Sequence, residues 1–133
     1  MLVRKHTEAA VAEWHCLRSR ILMDAGELGS RHMSVTWIEV PAGASEMLRS
    51  HEEAEQVYVV VRGGGTMSVA GDTQEVREGD LILVSPATDH SIANNGDSEL
   101  ACISVQSPPV AVAELYGGQM AAEVAGYDDD GND

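Results

Sequence analysis

Between residues 16 and 107 the chain is a succession of short apolar and β-branched runs, each cut by glycine, proline, asparagine or aspartate, with almost no helical periodicity. Such runs in series, bounded by turn formers, read as an all-β sandwich or barrel. The expected strands are 16–23, 32–40, 47–51, 56–62, 66–70, 73–76, 81–84, 90–93 and 100–107. Turn chemistry separates them at Asp24-Ala25-Gly26, Pro41-Ala42-Gly43, Gly63-Gly64-Gly65, Glu78-Gly79-Asp80 and Asn94-Asn95-Gly96-Asp97. Ala70-Gly71-Asp72-Thr73 reads as a tight hairpin. The segment 8–14 suits either a short helix or a stretch lying across the barrel, and 110–116 suits a helical turn or two after Pro108-Pro109 ends the last strand. Met23, Met33, Met47 and Met67 sit in strand-like runs of a chain without phenylalanine, so they are expected to fill core volume.

A chain of 133 residues is long enough for one core and too short for two. Its 22 acidic residues oppose 8 basic ones, a formal charge of −14. That field repels phosphate backbones and anionic membranes, which argues against nucleic acid and membrane as partners. Part of the charge lies in an acidic tail at 126–133, too poor in apolar groups to order itself. No apolar run approaches a membrane span, and no apolar stretch follows the basic N-terminus, so the expected location is cytoplasmic. The two cysteines, Cys16 and Cys102, are expected to be reduced, buried thiols.

Two segments carry chemistry. The first runs from Gly43 through Arg49, His51, Glu55, Gln56 and Tyr58 to Gly63, and the second from Gly79 through Pro86 and His90 to Asn94. Together they resemble the two motifs of the cupin family, G-x5-H-x-H-x3,4-E-x6-G and G-x5-P-x-G-x2-H-x3-N. The resemblance implies a single cupin domain over 1–133, a double-stranded β-helix or jelly-roll barrel with its core at about 15–107 and short N- and C-terminal extensions. The family's first histidine falls on Arg49, which cannot ligate a cation, and its glutamate falls on Gln56, with Glu55 one residue away. On the expected strand 47–51, Arg49 and His51 share a face; on the next, Gln56, Tyr58 and Val60 share one face and Val57, Val59 and Val61 the other.

The resemblance implies a divalent metal (Fe, Mn, Ni or Zn) held by His51, Gln56 and His90, with Arg49 and Tyr58 as catalytic candidates. Arg49 would clamp a substrate carboxylate or enolate, or else pair with Glu52, Glu53 or Glu55. The implied activity is that of a small-molecule enzyme (dioxygenase, isomerase, lyase or cyclase) acting on a polar or anionic substrate. The alternatives are a metal-free epimerase or isomerase using a histidine base, and a domain that binds a small molecule without turnover. The resemblance also implies a homodimer formed through the outer sheets. Asn94 reads as the residue that holds its turn, and the Gly63-Gly64-Gly65 run leads into a strand rather than a helix, which argues against a phosphate loop.

Overall fold

The computed structural model describes residues 1–111. Ten strands follow in order: β1 (Ala10–Trp14), β2 (Leu17–Met23), β3 (Ser34–Val40), β4 (Ser45–Leu48), β5 (Glu55–Arg62), β6 (Gly64–Val69), β7 (Asp72–Arg77), β8 (Leu81–Val84), β9 (His90–Ala93) and β10 (Leu100–Ser107). They form two antiparallel sheets, of six strands in the order β1-β2-β3-β10-β5-β8 and of four in the order β4-β9-β6-β7. Their inner faces enclose the main core, built from Leu17, Ile38, Val40, Val60, Met67, Val76, Val84, Ile92, Leu100 and Cys102 together with Tyr58. This is the jelly roll that the motifs imply. No helix among the described residues is long and apolar enough to cross a membrane.

Local chemistry explains the turns. Ala70 and Gly71 both take positive φ, 52° and 85°, as a two-residue hairpin with strand-matched twist requires, and β6 pairs with β7 directly across them. At the crossing from β5 to β6, glycine is required for space. A Cβ on Gly65 would lie 2.3 Å from the Ala93 carbonyl oxygen and 2.9 Å from Leu100 Cδ2. Gly65→Ala is therefore expected to cost about 2–3 kcal/mol of stability, measured by urea unfolding, because the obstacle is backbone. An unchanged midpoint would show that β6 is free to shift away from β9 there.

Several expectations are corrected. The segment 8–14 is neither helix nor stray crossing: Ala10–Trp14 pairs antiparallel with β2, Ala10 opposite Ile21 and Trp14 opposite Leu17. Ala12 is buried there with Ile21, Ala54 and Val110 in a second small core, and five alternating residues are too few for a period to show in sequence. The strand expected at 47–51 ends at Leu48, so Arg49 and His51 lie on the connection to β5. Of the four methionines, Met67 is buried, whereas Met47 is exposed and Met23 half-buried on their strands, and Met33 is exposed on the connection just before β3. Both thiols are free, but only Cys102 is buried and Cys16 is half-buried. Burial pushes Cys102 up to about 12, which makes it core filling rather than a nucleophile. Apart from Val110 and Ala111, the turn expected at 110–116 and the tail at 126–133 lie outside the described residues.

Candidate functional site

The register of the six-stranded sheet sorts its inward side chains into layers. Gln56 stands opposite Gln106, which stands opposite Ser34; Tyr58 stands opposite Ser104, which stands opposite Thr36. All six are at least 97% buried. Further along the same strands the inward residues turn apolar, with Val60, Cys102 and Ile38 in register. One end of the barrel is thus lined with uncharged polar groups, and the other end is the hydrophobic core.

His90 enters this polar end from the opposite sheet, at the start of β9, where it pairs with Leu48 on β4 and Val69 on β6. Its Nε2 lies 2.9 Å from the Tyr58 hydroxyl, and its Nδ1 lies 3.0 Å from the Thr88 carbonyl. Because a carbonyl only accepts, Nδ1 carries the proton and Nε2 presents its lone pair to Tyr58. The Tyr58 hydroxyl is also 3.1 Å from Gln56 Oε1, while Gln56 Nε2 donates to the Arg49 carbonyl at 3.2 Å, which fixes the amide orientation.

The contacts Thr88–His90, His90–Tyr58 and Tyr58–Gln56 need three protons, and a neutral imidazole with a phenol supplies two. A proton delivered to His90 Nε2 completes the row. Burial works the other way and lowers His90 below its ordinary 6.5, against upward pulls from the Thr88 carbonyl and the Asp89 charge. His90 is therefore a neutral base at pH 7, hydrogen-bonded to a hydroxyl that can pass a proton to it.

A family model for the cupin domain matches residues 36–106, the stretch that holds both motifs and all of these side chains except Ser34. The chain is a cupin. Over 70 residues it is 34% identical to an uncharacterised protein of Methanocaldococcus jannaschii, covering 53% of this chain and 56% of that protein. Over 68 residues it is 28% identical to the oxalate-binding protein of Thermotoga maritima, covering 51% and 56%. The chain thus spans little more than half the length of these curated relatives. Among solved structures, ectoine synthase from P. lautus superposes with a TM-score of 0.75 at 19% identity, over 90% of this chain and 87% of that one. A predicted oxalate decarboxylase from Thermotoga maritima gives 0.72 at 19% identity, over 80% and 98%. At such identities the likeness establishes the fold.

Gln56 Oε1 and His90 Nε2, two of the three implied ligands, both face the Tyr58 hydroxyl. No group of three or more His, Cys, Asp or Glu among the described residues is placed to hold a metal ion. The implied set includes no carboxylate to offset the charge of an ion, and the guanidinium of Arg49 belongs to the same connection as His51. His51 is half-buried and lines a cavity of about 230 Å³ together with Glu52, Glu53, Ala54, Pro108, Pro109 and Val110. Its backbone carbonyl accepts from the Ala87 N–H at 2.7 Å, which ties the first motif to the loop that leads to His90. The Arg49 side chain is exposed and forms no ion pair with Glu52, Glu53 or Glu55. Glu55 points outward, as strand alternation requires.

Sequence reasoning missed four residues of the polar lining: Ser34, Thr36, Ser104 and Gln106. Ser34 Oγ donates to Gln106 Oε1 at 2.7 Å, Gln106 Nε2 donates to Ser104 Oγ at 2.6 Å, and Ser34 Oγ accepts from the Val110 N–H at 3.0 Å. The signal was present as alternation over 34–37 in β3 and 103–106 in β10, but it is inverted. The apolar partners Val35, Trp37, Ile103 and Val105 face outward, where a binary reading expects the polar set.

Proposed function

We propose that this cupin is a small-molecule enzyme of the isomerase or epimerase type, which moves a proton on a polar substrate through His90 and Tyr58. The observation that carries it is the 2.9 Å contact between the Tyr58 hydroxyl and His90 Nε2 in a buried, uncharged polar layer. In the forward step the Tyr58 proton passes to His90 Nε2 as the phenolic oxygen takes a proton from carbon beside a carbonyl. The charges that result are an imidazolium held by the Thr88 carbonyl and an enolate facing the neutral donors of the barrel. Return of the proton to the other face of the carbon, or to its neighbour, gives the epimer or the isomer.

The test is deuterium exchange. Incubated in D2O with a panel of reducing sugars and 2- and 3-oxo compounds, the protein should exchange a C–H beside the carbonyl of at least one of them. Binding without exchange across the panel would assign the barrel to ligand binding alone. Elemental analysis of protein purified without chelators checks the donor argument, with well under one equivalent of Fe, Mn, Ni or Zn per chain expected. A stoichiometric ion that disappears in His90→Ala would restore the metal-assisted reading.

The outer face of the six-stranded sheet supports a second copy as partner. Val57, Val59, Ile103, Val105, Val35 and Trp37 are contiguous across three strands, and all face outward. An apolar band of that kind on an outer surface marks an interface. Light scattering should report a dimer, and Val59→Glu should convert it to a monomer; a monomeric parent protein would rule this pairing out.

A further inference from the structure

His90 and Tyr58 are almost completely buried, so the proposed chemistry needs a way in. The two sheets gape between their edge strands: β7 ends the four-stranded sheet, β8 ends the six-stranded one, and a groove of about 540 Å³ lies between them. That volume is ordinary for a small-molecule site. Its floor includes Val69, Val76 and Ile82. Register places Val69 directly opposite His90 and Ile82 directly opposite Tyr58. Residues opposite each other in an antiparallel pair project on the same face, with Cβ atoms roughly 5 Å apart. The floor of the groove is thus one side chain away from both members of the proton-transfer pair, reached from each sheet separately.

The rim is of one sign. Asp72, Glu75 and Asp80 line the groove, with no lysine or arginine among its described lining residues. The chain as a whole carries a formal charge of −14, so an approaching cation is favoured from a distance and an anion is opposed. In a groove whose exposed surface is mostly polar, three apolar side chains, three carboxylates and contact with the partners of His90 and Tyr58 combine in one place.

We propose that this groove is the mouth and apolar subsite of the catalytic barrel, and that it selects an organic cation: a molecule with an apolar body and a protonated amine. The apolar body lies against Val69, Val76 and Ile82, and the ammonium group remains at the rim with the carboxylates. The inference deepens the proton-transfer reading by naming the class of substrate, and it departs from the anionic substrate that Arg49 suggests in sequence.

The test uses three probes of one shape, phenethylamine, 2-phenylethanol and phenylacetate, titrated into the full-length ¹⁵N-labelled protein at neutral pH. Phenethylamine should shift amide signals along β7 and β8, and should bind about tenfold more tightly than the alcohol, with phenylacetate weaker than both. Asp72→Asn combined with Glu75→Gln, both at exposed positions, should remove the preference for the amine and leave alcohol binding unchanged. Equal binding of amine and alcohol, tighter binding of phenylacetate, or shifts centred on residues 49–52 would overturn the assignment. The two readings fail separately. Groove binding without deuterium exchange on any substrate leaves this subsite standing and removes the proton transfer, whereas exchange without amine selectivity does the reverse.

Discussion

His90→Gln should lower turnover by ~10²–10⁴-fold, because glutamine can replace the hydrogen bonds of an imidazole but cannot accept the proton. Tyr58→Phe should fall in the same range, since it removes the hydroxyl that lies between His90 Nε2 and Gln56 Oε1. The double variant should be little worse than either single one, as expected for two groups that act in one step. The pH profile gives an independent check. Burial places His90 below its ordinary 6.5, so the base form survives into mildly acidic solution and activity falls only as pH drops through that lowered value. The sign for stability follows from the same shift. An unfolded chain takes up its proton near pH 6.5 and the folded one does not, so stability declines as pH falls from about 6.5 towards the folded value. His90→Gln should remove this part of the acid sensitivity. Turnover retained in both single variants would remove the pair from the mechanism.

Asn94→Ala should be the most damaging substitution away from that pair, costing roughly 2–4 kcal/mol in urea or thermal unfolding. Asn94 is almost completely buried, and its amide makes three bonds: Nδ2 donates to the carbonyls of Val40 at 2.9 Å and Ser98 at 2.8 Å, and Oδ1 accepts from the Gly96 N–H at 3.0 Å. Its backbone adds two more, accepting from Gly43 and donating to Ala44, each at 2.8 Å. One residue therefore ties the β9–β10 turn to the end of β3 and the start of β4. Alanine would leave the buried Val40 carbonyl without this donor, a penalty that the small side chain cannot offset. Asn94→Asp is a sharper probe: it preserves the acceptor for Gly96 but replaces two donated bonds with repulsion between carboxylate and carbonyl, so it should cost at least as much as alanine. Near-normal stability in both would show that the turn is held by its backbone bonds alone.

Much of the site was legible because the cupin motifs specify positions as well as residue types. Gln56, Tyr58 and Val60 point inward and Glu55 outward, as alternation along β5 implies. His90 could be assigned to the interior from its place in the second motif. The partnership of His90 with Tyr58 was not legible. It depends on a register across two sheets that share no hydrogen-bonded strand pair, and neither residue carries a local signal of it. Arg49 and His51 misled for a related reason: the shared face inferred for them holds only if the strand continues to residue 51, and it stops at Leu48. The inward row of Ser34, Thr36, Ser104 and Gln106 was concealed by its inverted pattern, since hydrophobicity alone assigns the apolar side to the core.

By itself the sequence determined the β-class of this protein, its jelly-roll family and most of its strands and turns, because alternation, turn residues and motif spacing are properties of neighbouring positions along the chain. Only the tertiary structure decided which faces of β3 and β10 are the inside, which hydroxyl faces His90, and where the two sheets part to leave a groove. Those outcomes depend on pairings between residues far apart in the chain, and on the choice of which surface is removed from water; no short stretch of sequence records either.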